Sequence, residues 1–590
     1  MKVSQLKIES FRGIKKCHLT LPTHVALIGD NNTGKSTLLE ALNLALGPNR
    51  LNRWPVINEH DFYKGDYLSD EGENPEIKIE VTITNITDEQ RRRFVDYIEW
   101  WNQVDNSFHV ESPPESIDKD QITEAIRITF IGLYDPEIDD FTAQTYFTRS
   151  LAESDRPQHF TRKDKQICGF LYLRSLRTGS RALSLEQGSL LDIILNIKGI
   201  RPQMWENALE EVSSYNVASK PEVGISGILE SIENTVKKYV PREWGATPHL
   251  KVSKLTREHL RNTITAFIAT GEGEHAAPFY MQGTGTINVL VLAMLSMIAK
   301  DKRNVIFAME EPETALPPYA QKRIIHEIRN LASQSLFTSH SPYVLEEFGL
   351  SETMVLSRDE NGRLNQSFID LPDSVKHKRY RQEFRTRFCE GLLSRRLLIA
   401  EGATEATALP AVARRLSEIN SEDYSSLEAL GICVVDAGSE TQIADLANLY
   451  GGLGKEVYAV CDKQGQERKN EIEAVVDQLF MHQEDGFEGL VLNNTTSEAI
   501  ERFIDLLDWP PHLLQDFPNP KEDPHNSLFE YFKWAKGNWG IADFLSQCNE
   551  NEIPIWIKET CAELKEICGY NQQEESTDTG NDSDLTHEEE

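Results

Sequence analysis

The 590-residue chain is predicted to be an α/β protein made of two successive sheet-and-helix domains, and three observations carry that prediction. A short apolar run, residues 25–28 (VALI), leads into a glycine loop, Gly29-Asp30-Asn31-Asn32-Thr33-Gly34-Lys35-Ser36-Thr37, and then into LLEALNLAL, whose apolar spacing is helical. Further apolar strands end in chemically useful side chains: Val305–Met309 before Glu310 and Glu311, and SLFTS before His340. From residue 395 onward, strands alternate with helices, which argues for a parallel sheet whose carboxyl ends hold the ligand.

Bulk composition narrows the class. Hydrophobic residues make up 39% and aromatics 8%, and no apolar stretch approaches the ~20 residues of a membrane helix, so a soluble chain with no membrane partner is expected. The opening MKVSQLKIESFRG alternates like a strand and lacks the apolar core of a signal peptide, which predicts a cytoplasmic protein. The eight cysteines are scattered without a CxxC pair, so neither a disulfide framework nor a zinc site is expected, and Cys433 and Cys461 read as small buried side chains. Against 61 Lys and Arg stand 94 Asp and Glu, a net charge of −33, so any nucleic-acid contact must be local. Residues 571–590 hold eight acids and no Lys or Arg and read as a disordered tail, either solubilising or competing with nucleic acid for a basic groove.

The glycine loop satisfies GxxxxGK[ST] at Gly29, Gly34, Lys35 and Ser36. Glycines let backbone N–H groups approach phosphate, the lysine neutralises terminal phosphates, and the hydroxyl ligates magnesium; Asn32 and Thr37 complete the nucleotide-binding set. Glu310 and Glu311 are suited to the magnesium shell and to polarising an attacking water, and His340 to a terminal phosphate or that water. With Ile8-Glu9-Ser10-Phe11-Arg12-Gly13, the EEPE run and TSHSP, these features resemble ATPases of the ABC class related to RecF and SMC proteins. In that resemblance residues 281–288 (MQGTGTIN) correspond to a signature loop, with Thr284 and Gly285 offering donors to a γ-phosphate across a dimer; a helix-capping turn is the alternative. The domain is expected over 1–175 and 271–372, around an insert at 176–270, mainly helical over 190–265, which the resemblance implies is a dimerisation element. EIKIEVTITNI and EAIRITFIGL alternate like antiparallel strands, while 64–80 and 101–122 read as exposed loops. Arg174, Arg177 and Arg181 form either a phosphate-contacting patch or surface ion pairs.

After a linker at 373–394, the second domain is expected over 395–570. Its strands are Arg396–Ala400 before Glu401-Gly402, Gly431–Val435, and Val457–Asp462. Phosphodiester hydrolysis must stabilise both the incoming and the leaving oxygen, so carboxylates converging from separate strand ends suit one or two divalent ions. Glu401 is the candidate base or ligand, and Glu405 and Asp462 are further ligands. Strand-Glu-Gly followed by a later strand-Asp resembles the Toprim domain, from which this chain departs by placing Gln464 where a second Asp is usual; Gln464 can still coordinate the metal through its carbonyl oxygen but adds no charge. Glu488, with Glu484 and Asp485 beside it, matches an acidic position of the nuclease branch, and Lys536 matches its late lysine; a solvated surface is the alternative for both, and Lys533 competes with Lys536.

An ABC-type ATPase followed by a Toprim domain is similar to the OLD (overcoming lysogenization defect) family, over about residues 1 to 570. That resemblance implies an ATP-regulated DNA endonuclease using Mg²⁺ or Mn²⁺, with Glu401, Asp462, Lys536, Glu311 and His340 as catalytic residues. It also implies a homo-oligomer, dimer or tetramer, acting in bacterial antiviral defence, as do the Gabija nuclease subunit and retron-attached effectors. A helicase, or a reverse transcriptase with its DNA–RNA product, is a consistent companion. The rival readings are a RecF-like repair ATPase with a degenerate Toprim domain, motivated by Gln464, and a non-enzymatic ATP-clamped scaffold.

Overall fold

The computed structural model describes residues 1–48, 56–69, 74–109, 121–173, 185, 189–198, 201–214, 225–238, 256, 259–260, 266–269, 276–301, 305–314, 317–369, 385–484, 486–535 and 540–577. The chain divides into two compact units, Met1–Val25 with Ser36–Ser339, and Ala26–Lys35 with His340–Glu590.

In the first unit the N-terminal alternation becomes β1 (Lys2–Phe11), which turns back through Arg12, at φ 49°, into the antiparallel β2 (Ile14–Thr20). β3 (His24–Ile28) is a continuous apolar run and is fully buried from Val25 on. β4 (Ile77–Thr84), β5 (Ile98–Asn102), β6 (Ser107–His109), β7 (Ile122–Asp135) and β8 (Asp140–Phe147) complete an antiparallel meander: β1 pairs with β4, β4 with β7, β7 with β5 and β8, and β5 with β6. EIKIEVTITNI and EAIRITFIGL are therefore antiparallel partners. The loops expected at 64–80 and 101–122 are shorter than their composition suggested. Ile77–Glu80 belongs to β4, and Trp101 is buried in β5 with its ring 4.6 Å from Phe108 of β6, a cross-strand aromatic pair that outweighs the polar residues around it.

β9 (Phe170–Leu173) precedes the helical stretch, in which helices Leu190–Ile197, Arg201–Ser214 and Ile225–Val236 are formed. A short hairpin, β10 (Phe267–Ala269) with β11 (Ala276–Pro278), leads into the helix Thr284–Asp301. β12 (Ile306–Glu310) and β13 (Gln334–Thr338) then run parallel to each other, joined by helix Pro318–Leu331, and β9 runs parallel on the far side of β12. Among the described residues no helix is long and apolar enough to cross a membrane.

In the second unit β14 (Thr353–Arg358) lies parallel to Ala26–Ile28 and antiparallel to β15 (Arg363–Phe368). A separate sheet follows from β16 (Arg396–Ala400), β17 (Ile432–Asp436), β18 (Glu456–Cys461) and β19 (Gln478–Met481), ordered β17-β16-β18-β19 and parallel throughout. Its strands are apolar runs rather than alternations because helices cover both faces. Leu398, Ala400, Val460 and Phe480 pack with Val412 and Leu416 of helix Ala403–Ile419, and with Ile557, Cys561 and Leu564 of helix Ile555–Thr577. Each such Leu, Ile or Val contributes roughly 1.5–3 kcal/mol by leaving water. That last helix runs through residues 571–577 of the acidic tail, and 578–590 lie outside the described residues. Cys433 is only half-buried, whereas Cys461 is fully buried; burial pushes the Cys461 thiol up to about 12, which makes it packing rather than a nucleophile.

Candidate functional site

The glycine loop takes its shape from backbone conformations that most residues avoid. Gly29, Asn32 and Gly34 have φ of 150°, 65° and 116°, and a Cβ on Gly29 would collide with the carbonyl oxygen of Leu356 in β14. Thr33 Oγ1 donates to Asp30 O at 2.5 Å and ties the loop to itself. Lys35 is buried, and its Nζ donates to the carbonyls of Gly29 and Asp30 at 2.7 and 2.8 Å. It begins the helix Lys35–Leu46, whose first N–H groups have no helical acceptor. Ser36 is exposed and Thr37 half-buried in its first turn, and Asn32 is exposed on the loop. A strained turn, a buried ammonium and a helix N-terminus together fit a polyphosphate.

In the first unit, Glu310 is the last residue of β12 and accepts a hydrogen bond from the Tyr172 hydroxyl of β9. Glu311 follows with φ 44°, a left-handed conformation costing on the order of 1 kcal/mol or more in a non-glycine residue, pinned by its N–H to Thr338 O at 2.9 Å. Glu313 accepts from Ser339 Oγ at 3.0 Å. His340, in the second unit, is exposed. Thr284 and Gly285 open the helix Thr284–Asp301, so residues 284–288 of the expected signature loop are its first turns. Arg174, Arg177 and Arg181 lie outside the described residues.

The register of the parallel sheet builds a second site. Ala400 pairs with Val460 and with Asp436, and Cys461 with Met481, so the residues just past β16, β18 and β19 share one edge. Glu401 donates its N–H to Val460 O at 3.1 Å and uses Oε2 twice as an acceptor, from Asp462 N at 3.1 Å and Gln464 Nε2 at 3.1 Å. Gln464 is thus a holder of Glu401 through its amide nitrogen. Glu405 sits one turn into the helix Ala403–Ile419, only 6% exposed, and Gly402 admits it because a Cβ there would lie 3.1 Å from Glu405 Oε2. Glu488, buried in the helix Phe487–Asn493, accepts from Thr404 Oγ1 at 3.4 Å.

The carboxylates act on one another electrostatically. Burial raises the Glu401 carboxyl, with Asp462 and Glu440 adding to the rise. Burial pushes Glu405 up to about 7, and the charges of Asp462, Glu401 and Glu488 push the same way. Among the described residues no group of three or more His, Cys, Asp and Glu side chains is so arranged that it could hold a metal ion. In its chemistry the donor set nevertheless fits a hard divalent cation: its atoms are carboxylate oxygens, and they repel one another. Two neighbours escaped the sequence reading, Glu440 at the start of helix Glu440–Gly452 and His482, whose Nε2 lies 2.8 Å from Asp462 Oδ1.

Other candidates lie elsewhere. Lys533 is spent on Glu530 at 3.1 Å and on the face of Phe529, and Glu484 accepts from Asn493 Nδ2 at 3.0 Å. Lys536 and Asp485 lie outside the described residues.

The crowding of charge at Glu405 has a measurable sign. Its folded pKa of about 7 lies above the ordinary 4.5, so the protonated carboxyl favours folding below pH 4.5 and that contribution is lost as pH rises to about 7. In metal-free protein Glu405→Gln is therefore expected to match wild type near pH 4.5 and to exceed it at pH 8, by roughly 1–3 kcal/mol. Thermal midpoints of both proteins across that range check this; a gap that does not widen with pH contradicts it.

Two family models match the chain. The first, described as AAA domain, putative AbiEii toxin, Type IV TA system, matches residues 25–346, more than half of the chain. The second, described as overcoming lysogenization defect protein-like, TOPRIM domain, matches residues 392–463. The Old nuclease of Escherichia phage P2 is 20% identical over 493 residues, covering 78% of this chain and 77% of that protein. Among solved structures, the SMC head domain from Thermotoga maritima aligns with TM-score 0.29 at 12% identity, over 63% of this chain and 100% of that one. The C-terminal region of the Burkholderia pseudomallei OLD protein aligns with TM-score 0.24 at 16% identity, over 30% of this chain and 98% of that one. The two family models carry the assignment.

Proposed function

The chain belongs to the AAA-domain family that it matches over residues 25–346 and, through the TOPRIM domain that follows, to the OLD family, and from that membership we propose that it is a DNA endonuclease that requires a divalent metal and is controlled by ATP. The two domains imply a nucleotide and a divalent metal as cofactors; Mg²⁺ or Mn²⁺ is the ion proposed. One observation carries the reading: Glu401 and Asp462, from neighbouring strand ends, are joined by a hydrogen bond from the Asp462 N–H to Glu401 Oε2, and the buried Glu405 stands in the first turn of the helix that follows Glu401.

In this reading Glu401, Glu405 and Asp462 hold the ion, with Glu488 and Gln464 beside them. When bound, a divalent ion supplies positive charge to a phosphate gaining a fifth oxygen and eases deprotonation of water. The Asp462 N–H and the Gln464 amide keep Glu401 in one rotamer, so its carboxylate is oriented before substrate arrives. Partial burial and the neighbouring Asp462 raise the affinity of the Glu401 carboxyl for protons, which suits it to accept one from the attacking water. At the glycine loop, Lys35 exchanges its two carbonyl partners for terminal phosphates, with Ser36 on the ion, Glu310 and Glu311 on the lytic water, and His340 on the terminal phosphate. Thr284 and Gly285 are assigned to the same nucleotide from a second copy, which makes the working form a homo-oligomer. Lys536 remains the proposed cation for the scissile phosphate. A role in bacterial defence against phage is in keeping with a family model named for a toxin and with a phage-encoded relative.

The test is direct. Wild-type protein with Mg²⁺ or Mn²⁺ is expected to nick or linearise closed circular plasmid, and a chelator to stop it. Intact plasmid under both metals would overturn the nuclease assignment and favour an ATPase with a degenerate Toprim domain.

A further inference from the structure

His482 lies one residue beyond β19, at the position across the sheet edge next to Asp462, and donates its N–H to Cys461 O at 3.3 Å. Its ring is 2% exposed and is walled by aromatics, with Trp556 of the last helix edge-on at 5.1 Å and 74°, and Phe487 at 6.3 Å. An imidazole carries two polar nitrogens into this slot, where leucine or phenylalanine would carry none. Neither nitrogen makes an aligned hydrogen bond among the described residues, and neither does Asp462 Oδ1. Yet Nε2 and Oδ1 are 2.8 Å apart, already at hydrogen-bonding distance, so only a rotation of ring or carboxylate separates two orphaned groups from a satisfied pair. An unpartnered buried imidazole is costly unless a partner accounts for it, and the carboxylate is that partner.

We propose that His482 is the positioning residue for Asp462: Nε2–H donates to Oδ1 and fixes the rotation of the carboxylate, so that Oδ2 is presented to the divalent ion in one orientation. The inference rests on the metal-dependent reading above. It deepens that reading by giving the ligand an outer partner, the arrangement that raises a carboxylate's fitness as a ligand without adding charge to the site. Trp556 acts through the ring, holding its plane.

The test titrates Mn²⁺ alone into the full chain by calorimetry, comparing wild type with His482→Leu, His482→Met and His482→Gln. Leucine and methionine fill the slot without a donor, and methionine is flexible enough to refill it should leucine prevent folding. Glutamine returns an N–H donor near the place of Nε2. Mn²⁺ affinity is expected to fall ~10- to 100-fold in the Leu and Met variants and to recover to within about threefold of wild type in the Gln variant. Thermal midpoints of the metal-free proteins are read alongside, so that affinity lost through unfolding is separated from affinity lost with the donor. Unchanged Mn²⁺ affinity in the Leu and Met variants would overturn the positioning role, as would equal loss in the Gln variant at an unchanged midpoint. Failure of wild type to cut plasmid while these affinities still separate would instead overturn the nuclease reading and leave the positioning role standing.

Discussion

Glu401→Ala and Asp462→Ala are each expected to slow plasmid cleavage by ~10³-fold or more, because several kcal/mol of charge stabilisation depends on the ion they share. On the stability of the metal-free protein the same substitutions act in two opposing directions. Burial and Asp462 raise the Glu401 carboxyl, so removing either charge relieves repulsion that the apoprotein bears. Against that gain stands the Glu401 Oε2 acceptor, whose loss leaves Asp462 N and Gln464 Nε2 without their recorded acceptor, at a cost of about 1–3 kcal/mol. Cleavage time courses read alongside thermal midpoints separate chemistry from unfolding. Because both carboxylates act on one ion, the double variant should be scarcely worse than either single one. Nicking at the wild-type rate in both single variants would remove this site from the reaction.

Much of this architecture was legible because chemistry fixes residue types at fixed spacings. The glycine loop is such a case: Gly29, Asn32 and Gly34 adopt backbone angles that glycine or asparagine tolerates, and β3 before it is a plain apolar run. Glu401 and Asp462 are far apart in sequence, but a parallel sheet brings all its carboxyl ends to one edge, so two strand ends sufficed to pair them. What stayed hidden depends on register or on distant partners. His482 follows a strand of four residues with no distinctive pattern, and only the pairing of Cys461 with Met481 sets it against Asp462. Tyr172 meets Glu310 across 138 residues, through the parallel pairing of β9 with β12. Polar composition concealed β5, whose burial is decided by Trp101 and its partner Phe108 and not by the acids around them.

Lys35→Ala is expected to reduce ATP turnover to background and to make plasmid cutting indifferent to added ATP, whichever direction ATP drives it in wild type. The lysine contributes charge-assisted hydrogen bonds to terminal phosphates at roughly 1.5–3 kcal/mol each, so nucleotide affinity should fall ~10²-fold. The loop itself should survive. Asp30 O keeps the Thr33 N–H at 3.3 Å and the Thr33 hydroxyl at 2.5 Å after the ammonium is gone, so the fold loses little. Basal cutting without nucleotide should therefore equal that of wild type, since Glu401, Glu405 and Asp462 are untouched. In the proposed control by ATP, the residue between the loop and those carboxylates is Lys455. Its buried ammonium lies 3.6 Å from Asp30 Oδ1, desolvation lowers its pKa while Asp30 opposes the fall, and it immediately precedes β18, whose other end delivers Asp462. In that proposal, the loss of the Lys35 contact with the Asp30 carbonyl on phosphate binding would reach Asp462 through Lys455 and β18. Cutting by Lys35→Ala that still responds to ATP as wild type does would break this link, because the response would then have to arise from nucleotide bound somewhere other than the glycine loop.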